Sequence, residues 1–207
     1  MERDLRISRR IGGSIAFGEE IRIELIRKSI HLLIGIVPTL ASINISFTLG
    51  LLAAGTLSYA ASESLRMAGI EVPLISRITA LAARRRDTGK YVMGPITLGL
   101  GAMLALLLYP DPAASVAIYA LAFGDGLSSL VGKLMGSIKL PFTGGKSLEG
   151  SLTCFFAVFL SVFTLTHRAL PSVGIALFAT FVEAAPLRDL DNIVLPVLTG
   201  ALAFLVL

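Results

Sequence analysis

The sequence has few charged residues and almost no cysteine, and both shortages restrict what the chain can be. Only 15% of its 207 residues are charged, whereas a soluble globular domain carries roughly a quarter. The single cysteine, Cys154, excludes a disulfide or a cysteine-based metal site within one chain. The low charge argues against a soluble protein.

Long apolar runs take up most of the chain. Hydrophobic residues make up 55% of it, the mean hydropathy is +0.82, and runs long enough to cross about 30 Å of hydrocarbon recur throughout. The alternating pattern of a membrane β-barrel is missing. We therefore predict an all-α fold, a polytopic transmembrane helical bundle with a basic arm (residues 1–28) and one transmembrane domain (residues 29–207). The predicted spans, about seven, are residues 29–43, 45–65, 91–109, 113–135, 150–166, 172–185 and 192–207.

The basic residues predict the orientation of this bundle. With the N-terminus in the cytoplasm, only Arg168 among the 18 lysines and arginines falls on the outer side. Between Glu71 and Arg86, apolar residues recur at helical spacing and basic residues cluster at the end, which predicts an interfacial amphipathic helix. For Arg84–Arg86 a positive-inside anchor is favoured over phosphate binding.

Asp125 lies inside one of the predicted spans, in Ala-Leu-Ala-Phe-Gly-Asp-Gly-Leu-Ser. A carboxylate at the centre of a membrane helix costs on the order of 3 kcal/mol, so its usual reason for being there is functional. Small residues follow at helical spacing, among them Ser128, Gly132 and Gly136. The glycines alone favour helix packing. Together with Asp125 they predict a surface that accepts a polyanion through Mg²⁺.

The segment Thr143-Gly-Gly-Lys-Ser147 looks like the end of a P-loop but is not one. A P-loop needs glycine at position 140, which is leucine here, and a preceding strand. The two glycines, Lys146 and Ser147 could still hold phosphate through backbone N–H groups and a point charge. A simple N-cap, in which Ser147 begins a helix and Glu149 complements its dipole, explains these residues equally well.

Polar residues form a stripe where the first predicted span begins. Glu24, Arg27, Lys28 and His31 are three or four positions apart, on one face of a helix. A surface pair of Glu24 with Lys28, worth roughly a few tenths of a kcal/mol, is the simplest explanation. It does not explain His31, which continues the stripe to membrane depth and could bind phosphate or accept a proton.

Further acidic positions lie at the predicted inner ends of other spans. Glu183 ends one apolar run, and a functional role is favoured for it. Asp191 and Asn192 open the last span, where capping and ligand binding are equally good explanations. All these groups fall at the predicted cytoplasmic ends, which implies a cytosolic reagent.

Four motifs in a fixed order make the sequence similar to the CTP-dependent lipid-alcohol kinases. They are Glu24-Leu-Ile-Arg-Lys-Ser-Ile-His31, Gly124-Asp-Gly-Leu-Ser-Ser-Leu-Val-Gly-Lys-Leu-Met-Gly136, Lys146-Ser-Leu-Glu-Gly-Ser151, and Val182-Glu183 followed by Asp191-Asn192-x-x-x-Pro196. The family covers dolichol and polyprenol kinases, phytol and farnesol kinases, and a CTP-dependent diacylglycerol kinase. Ser128 replaces the family's alanine, Asp87 stands where glutamate is commoner, and the chain is shorter than eukaryotic dolichol kinases.

This resemblance implies transfer of the γ-phosphoryl group of CTP to the hydroxyl of a membrane lipid alcohol, with Mg²⁺ as cofactor. Such transfer needs positioning and charge neutralisation more than covalent help. Residue patterns and resemblance together give three groups of expected site residues. The catalytic residues are Asp125, Lys146 and His31; the nucleotide- and phosphate-binding residues are Arg27, Lys28, Gly132, Lys133, Gly144, Gly145, Ser147, Gly150, Asp191 and Asn192; and the metal ligands are Asp125, Glu149 and Glu183.

Two other functions are compatible with the sequence. The Asp125 and Lys146–Ser151 motifs are also similar to those of phosphatidate cytidylyltransferases, which would make a CDP-lipid. A small transporter could use Asp125, Glu183 and His31 as an ion relay, although the outer halves of the spans lack polar groups for a through-path. We expect the bilayer, CTP and a lipid alcohol as partners and no nucleic acid. Which alcohol is the acceptor stays open, because apolar pockets discriminate chain shape weakly.

Overall fold

A computed structural model describes the backbone of residues 2–83, 87 and 89–207, and the side chains from residue 18 onward except those at 84–86, 88 and 188. The chain is 81% helical, and no β-strand occurs in the described ranges, so the all-α prediction is confirmed. The helices are α1 (Glu2–Leu33), α2 (Val37–Ile43), α3 (Ile45–Met67), α4 (Pro73–Ala82), α5 (Gly94–Leu108), α6 (Ala113–Tyr119), α7 (Gly126–Leu134), α8 (Leu148–Thr166), α9 (Ala169–Ala184) and α10 (Asp191–Val206).

Short irregular turns join several helices into longer apolar segments. A 3₁₀ turn (Ile34–Ile36) connects α1 to α2, and a π-helical turn (Ala120–Asp125) connects α6 to α7. The first helix therefore runs from the predicted basic arm into the predicted first span without a break at residue 28. Asn44 separates α2 from α3, and its side chain caps α3 by accepting a hydrogen bond from the Phe47 N–H at 2.9 Å.

Among the described residues, four helical segments are long and apolar enough to cross a membrane: Gly18–Ile43, Ile45–Met67, Ala113–Leu134 and Leu148–Thr166. They support an integral membrane protein. The other three predicted spans coincide with α5, α9 and α10, which have 15 or 16 residues each. The count of seven spans and the orientation stay predictions.

The apolar core lies where α6, α8, α9 and α10 meet. Val116, Val158, Val162 and Ile175 have no exposed surface there, and Leu195 is 1% exposed. Large apolar side chains also cover the outside of the bundle. Such an apolar exterior is what a helix in contact with lipid tails needs.

The segment predicted as an interfacial amphipathic helix contains α4. Its polar residues Ser76 and Thr79 are buried, whereas Leu74, Arg77 and Ile78 are exposed. The outward side of the helix therefore carries apolar side chains and one arginine. Arg84–Arg86 lie outside the described residues, and the interfacial position stays a prediction.

Candidate functional site

A buried cluster of three charged or titratable side chains joins α1 to the start of α7. The Lys28 ammonium donates to Asp125 Oδ2 at 2.6 Å, and His31 Nε2 lies 3.0 Å from the same oxygen. Lys28, His31 and Asp125 are 1%, 3% and 5% exposed. A buried carboxylate is stable only when it is paired and hydrogen-bonded, and Lys28 and His31 satisfy this requirement.

The local backbone explains how Asp125 reaches this position. It is the last residue of the π-helical turn, which rotates α7 relative to α6, and such turns are frequent at functional sites. The glycines on either side make room for two helices. A Cβ at Gly124 would lie 3.0 Å from Val158 of α8, and a Cβ at Gly126 would lie 3.1 Å from Leu32 of α1. The Gly-Asp-Gly motif therefore places the carboxylate between α1 and α8.

The hydrogen bonds of His31 identify its tautomer. Besides Asp125, Nε2 contacts the backbone carbonyl of Leu121 at 2.9 Å, and a carbonyl oxygen can only accept. Nε2 therefore carries the proton, which is an inference from its partners. Neither His31 Nδ1 nor Asp125 Oδ1 has a hydrogen-bond partner among the described residues, so both atoms remain available to a ligand.

A second lysine–carboxylate pair lies beside the first. Lys146 donates to Glu183 Oε1 at 2.8 Å and also to the Glu183 backbone carbonyl. Ser128 links the pairs, because its hydroxyl lies 3.2 Å from both Glu183 Oε1 and the Asp125 carbonyl. Residues from four parts of the sequence are thus brought together.

Asp125, Lys146 and Glu183 line a polar cavity of about 690 Å³ at one end of the bundle, whereas Lys28, Arg27 and His31 are not among its lining residues. Asp125, Lys146 and Glu183 therefore converge on one site. Most of the other predicted phosphate-binding residues line the same cavity: Gly132, Lys133, Gly144, Gly145, Ser147, Gly150 and Asp191. A cavity of this size is within the range of small-molecule sites.

Lys133 and Arg27 sit at opposite sides of Glu24. The Arg27 guanidinium contacts Glu24 Oε1 at 2.5 Å, and the Lys133 ammonium lies 3.8 Å from Glu24 Oε2. Lys28 pairs with Asp125 in the structure, so the predicted surface pair of Glu24 with Lys28 is not the contact that buries it.

The loop from α7 to α8 forms one wall of the cavity. Gly144 and Gly145 have φ values of +72° and +102°, which side chains with a Cβ rarely adopt. Ser147 caps α8 by accepting from the Gly150 N–H at 3.2 Å, and it also lines the cavity. The capping and binding explanations of Ser147 are therefore compatible.

Glu149 has a different position from the other predicted metal ligands. Its carboxylate accepts from the backbone N–H of Ser137 at 2.8 Å and of Ile138 at 3.2 Å, and it is not among the residues lining the polar cavity. In this structure Glu149 fixes the backbone of the loop that carries Lys146.

Asp191 and Asn192 point to different places. The Asp191 carboxylate lines the polar cavity, accepts from the Asn192 N–H at 2.9 Å, and forms no ion pair with any described residue. The Asn192 amide donates to Thr97 of α5 at 2.9 Å and lines a separate cavity. Asn192 thus holds α10 against α5 and lies away from the polar cavity.

The described residues contain no cluster of three or more metal-binding side chains. Magnesium does not need one, because it binds through one or two carboxylates and the phosphates of a substrate. Asp125, Glu183 and Asp191 supply hard oxygen atoms along one cavity wall. This donor set suits Mg²⁺ bound together with a nucleotide.

Sequence reasoning missed a buried ion pair at the end of α3. Arg66 contacts both carboxylate oxygens of Glu63 at 2.7 Å, and Glu63 also accepts from the Val92 N–H at 2.7 Å. Glu63 is 1% exposed. An acidic residue within the second predicted span was the available signal, and it is the same signal that identified Asp125.

Comparisons with known proteins find related sequences but no similar solved structure. Neither a family model nor a solved structure matches the chain. A probable chloroplastic phytol kinase of Triticum aestivum is 34% identical over 130 residues, which cover 54% of this chain and 43% of that protein. A probable phytol kinase of Zea mays is 28% identical, with coverage of 70% and 54%.

A chloroplastic farnesol kinase of Arabidopsis thaliana is 31% identical over 137 residues, which cover 58% of this chain and 45% of that protein. The chain spans about half the length of the curated relatives it matches. These relationships agree with the order of motifs found in the sequence. The chain is thus similar to curated lipid-alcohol kinases, the phytol and farnesol kinases, over about half of their length.

Proposed function

We propose that the chain is an integral membrane kinase that transfers the γ-phosphoryl group of CTP to the hydroxyl of a prenyl-type lipid alcohol, with Mg²⁺ as cofactor. The observation that carries this proposal is the convergence of Asp125, Lys146 and Glu183 on one polar cavity at the end of an apolar bundle. The phytol and farnesol kinases among its relatives support the acceptor class. The choice of CTP rests on the family resemblance alone.

The cations of the cavity would bind the triphosphate and offset its developing charge. Lys146 is the central one, because it lies between the glycine turn and Glu183. Lys133 adds a partly exposed charge at the rim. Fixed cations in a partly dehydrated site stabilise a phosphoryl transition state without reorganising.

Asp191, together with Glu183 or Asp125, would hold Mg²⁺ against the phosphates. The ion supplies charge neutralisation to the bound triphosphate. Asp191 is the strongest candidate ligand, since its carboxylate has no cationic partner in the described part of the chain. This role differs from the nucleotide- and phosphate-binding role that the sequence predicts for Asp191.

The His31–Asp125 pair would accept the proton of the acceptor hydroxyl. Nε2 of His31 is occupied by its two oxygen partners, so Nδ1 is the ring atom that can take a proton. Asp125 then stabilises the imidazolium that forms. Lys28 orients Asp125, because it donates to both its carboxylate and its backbone carbonyl.

The positive-inside pattern predicts that this end of the bundle faces the cytoplasm, where CTP is available. The purified protein, supplied with Mg²⁺, with phytol, farnesol or phosphatidate as the acceptor, and with CTP labelled at the γ or the α position, tests the reaction. We expect γ-label in a lipid monophosphate made from the alcohols and no α-label in any lipid. Label from the α position in a CDP-lipid made from phosphatidate would identify a cytidylyltransferase, and the absence of a lipid product with every acceptor would refute both.

A further inference from the structure

A second cavity, of about 300 Å³, lies on the other side of the His31–Asp125 bond. Its walls come from α1, α3, α4, the loop before α5, the start of α5, the turn before α10 and the start of α10. Most of its lining is apolar, including Ile30, Ile75, Ile78 and Leu98. We refer to it as the apolar cavity, and to the one lined by Asp125 as the polar cavity.

The two cavities share no lining residue, yet hydrogen-bonded pairs connect them. His31 lines the apolar cavity and its partner Asp125 the polar one, 3.0 Å away. In the same way, Arg27 lines the apolar cavity and Glu24 lines the polar cavity, and the Arg27 guanidinium contacts Glu24 Oε1 at 2.5 Å. The contacting side chains of these two pairs therefore lie between a group bound beside His31 and one bound beside Asp125, and a phosphoryl group that passes between the pairs would reach the other cavity.

Arg27, which lines the polar end of the apolar cavity, carries an unpaired donor. Its Nε–H is buried and has no hydrogen-bond partner in the described part of the chain. A buried donor left unpaired carries a desolvation cost. A ligand oxygen bound between Arg27 and His31 would remove that cost, which indicates a ligand with one polar end.

The opposite end of the apolar cavity reaches the outside of the bundle. Gly55 of α3 and Ile78 of α4 both line the cavity and are both exposed. Because these helices have apolar outer surfaces, this opening faces the lipid side. An apolar chain could enter here without crossing the polar cavity.

We propose that the apolar cavity binds the acceptor alcohol, with its hydroxyl between Arg27 and His31 and its chain leaving between α3 and α4. This inference rests on the proposed kinase function. In the reaction, the O–H bond breaks and its proton goes to His31 Nδ1. The alcohol oxygen bonds to the γ-phosphorus, and the bond from that phosphorus to the β-phosphate oxygen breaks, so that CDP leaves with the electron pair.

The size of the cavity also restricts the acceptor. At about 300 Å³ it is at the lower limit of ligand pockets. It accommodates the head end of one chain, and two acyl chains side by side would not fit. A single-chain alcohol is therefore the expected acceptor, and diacylglycerol is not.

Two glycines of the same helix provide a matched test. A Cβ at Gly55 or at Gly50 would meet nothing within 4 Å, so both positions of α3 accept a larger side chain. Only Gly55 lines the apolar cavity. We expect Gly55→Leu to raise the KM for phytol about tenfold or more, as blocking part of an apolar pocket does. The KM for CTP should stay unchanged, and Gly50→Leu should behave as wild type.

Binding measured without nucleotide separates this inference from the kinase proposal. A prenyl alcohol carrying a diazirine, irradiated with the protein in detergent micelles, should label peptides of α3 and α4. Labelling should fall in Gly55→Leu and persist in Gly50→Leu, with equal thermal stability of the two variants. Equal labelling of both variants, or labelling elsewhere, would overturn the acceptor site even if the kinase is active. Labelling at this cavity without any phosphorylated product would contradict the kinase proposal and leave the lipid site standing.

Discussion

Lys28 and Asp125 are 97 positions apart in sequence, and each makes the burial of the other possible. A buried ion pair is not a large source of stability, because the desolvation of both ions offsets their attraction. Removing one partner is nevertheless costly, since the other charge is left uncompensated. This asymmetry allows the structural role of the pair to be separated from its catalytic role.

Asp125→Asn should abolish product formation and also destabilise the protein by about 3–5 kcal/mol, because Lys28 stays buried and charged. Lys28→Met in the same molecule should restore much of the melting temperature without restoring activity. Thermal unfolding in detergent and the labelled-CTP assay measure the two effects. A double variant that regains activity would show that Asp125 acts only through Lys28.

Substitutions of Glu149 test whether this residue binds the metal or holds the backbone of the loop that carries Lys146. Glu149→Ala frees the Ser137 and Ile138 N–H groups, so the loop bearing Lys146 should loosen and the KM for CTP should rise, about tenfold if one charged hydrogen bond is lost. The Mg²⁺ concentration that gives half-maximal rate should stay the same. Glu149→Gln, which keeps one accepting oxygen, should recover part of the loss. A large shift in the Mg²⁺ dependence would instead support the metal role first expected for Glu149.

At the scale of elements, the polar cavity depends on how closely α7 and α8 approach. A Cβ on Gly150 would lie 2.8 Å from the Ser128 carbonyl of α7, and one on Gly132 would lie 3.0 Å from the Ser147 hydroxyl. Both glycines also line the cavity. Close packing and ligand binding therefore use the same surface.

Gly150→Ala should separate α7 from α8 and lower stability by about 1–3 kcal/mol, the usual cost of overpacking. Gly174→Ala is the matched control, because a Cβ at this exposed position of α9 meets nothing within 4 Å. Gly174→Ala should raise stability by about 0.5–1 kcal/mol, because alanine replaces glycine inside a helix. Melting temperatures measure both effects, and equal melting temperatures for the two variants would contradict the proposed contact.

The Glu63–Arg66 pair connects α3 to the loop before α5. Arg66 also donates to the Lys90 carbonyl at 2.8 Å, and Glu63 holds the Val92 N–H. Residues of this loop, Tyr91 to Met93, line the apolar cavity.

Arg66→Lys loses the two-pronged contact with Glu63. We expect the KM for the alcohol to rise by up to about tenfold, the equivalent of one hydrogen bond to a charged group, while the KM for CTP stays constant. Steady-state kinetics with each substrate varied in turn provides the measurement. A change in the KM for CTP alone would argue against a role of this loop in binding the alcohol.

Sequence patterns predict the helices and most residues of the polar cavity, because spacing within one helix and the cost of a membrane carboxylate are local properties. They do not predict that Lys28 pairs with Asp125 or that Lys146 pairs with Glu183. Those contacts depend on the rotation of neighbouring helices, which the π-helical turn before Asp125 changes by one residue. For the same reason, spacing could not show that Asn192 faces α5 while Asp191 faces the polar cavity.

For the molecule as a whole, the loop after α7 and the turn after α8 should lie on opposite sides of the membrane, because α8 is one of the segments long enough to span it. Phe142, in the loop after α7, is 98% exposed, and Arg168, in the turn after α8, is also exposed. Cys154, the single native thiol, is fully buried, so the wild-type protein should not be labelled by thiol reagents.

An impermeant maleimide added to intact cells should therefore label Arg168→Cys but not Phe142→Cys. In inverted membrane vesicles the result should be reversed. Both variants should be labelled equally in detergent, which controls for the reactivity of the new thiols. Labelling of both variants from the same side would reverse or break the predicted topology.

The Lys146–Glu183 pair at the polar cavity has one more consequence. A triphosphate that bound Lys146 without a metal would take the cation away from Glu183 and leave a buried carboxylate unpaired. The magnesium complex would bring a cation for Glu183 together with an anion for Lys146. Metal and nucleotide should therefore bind well only as a unit.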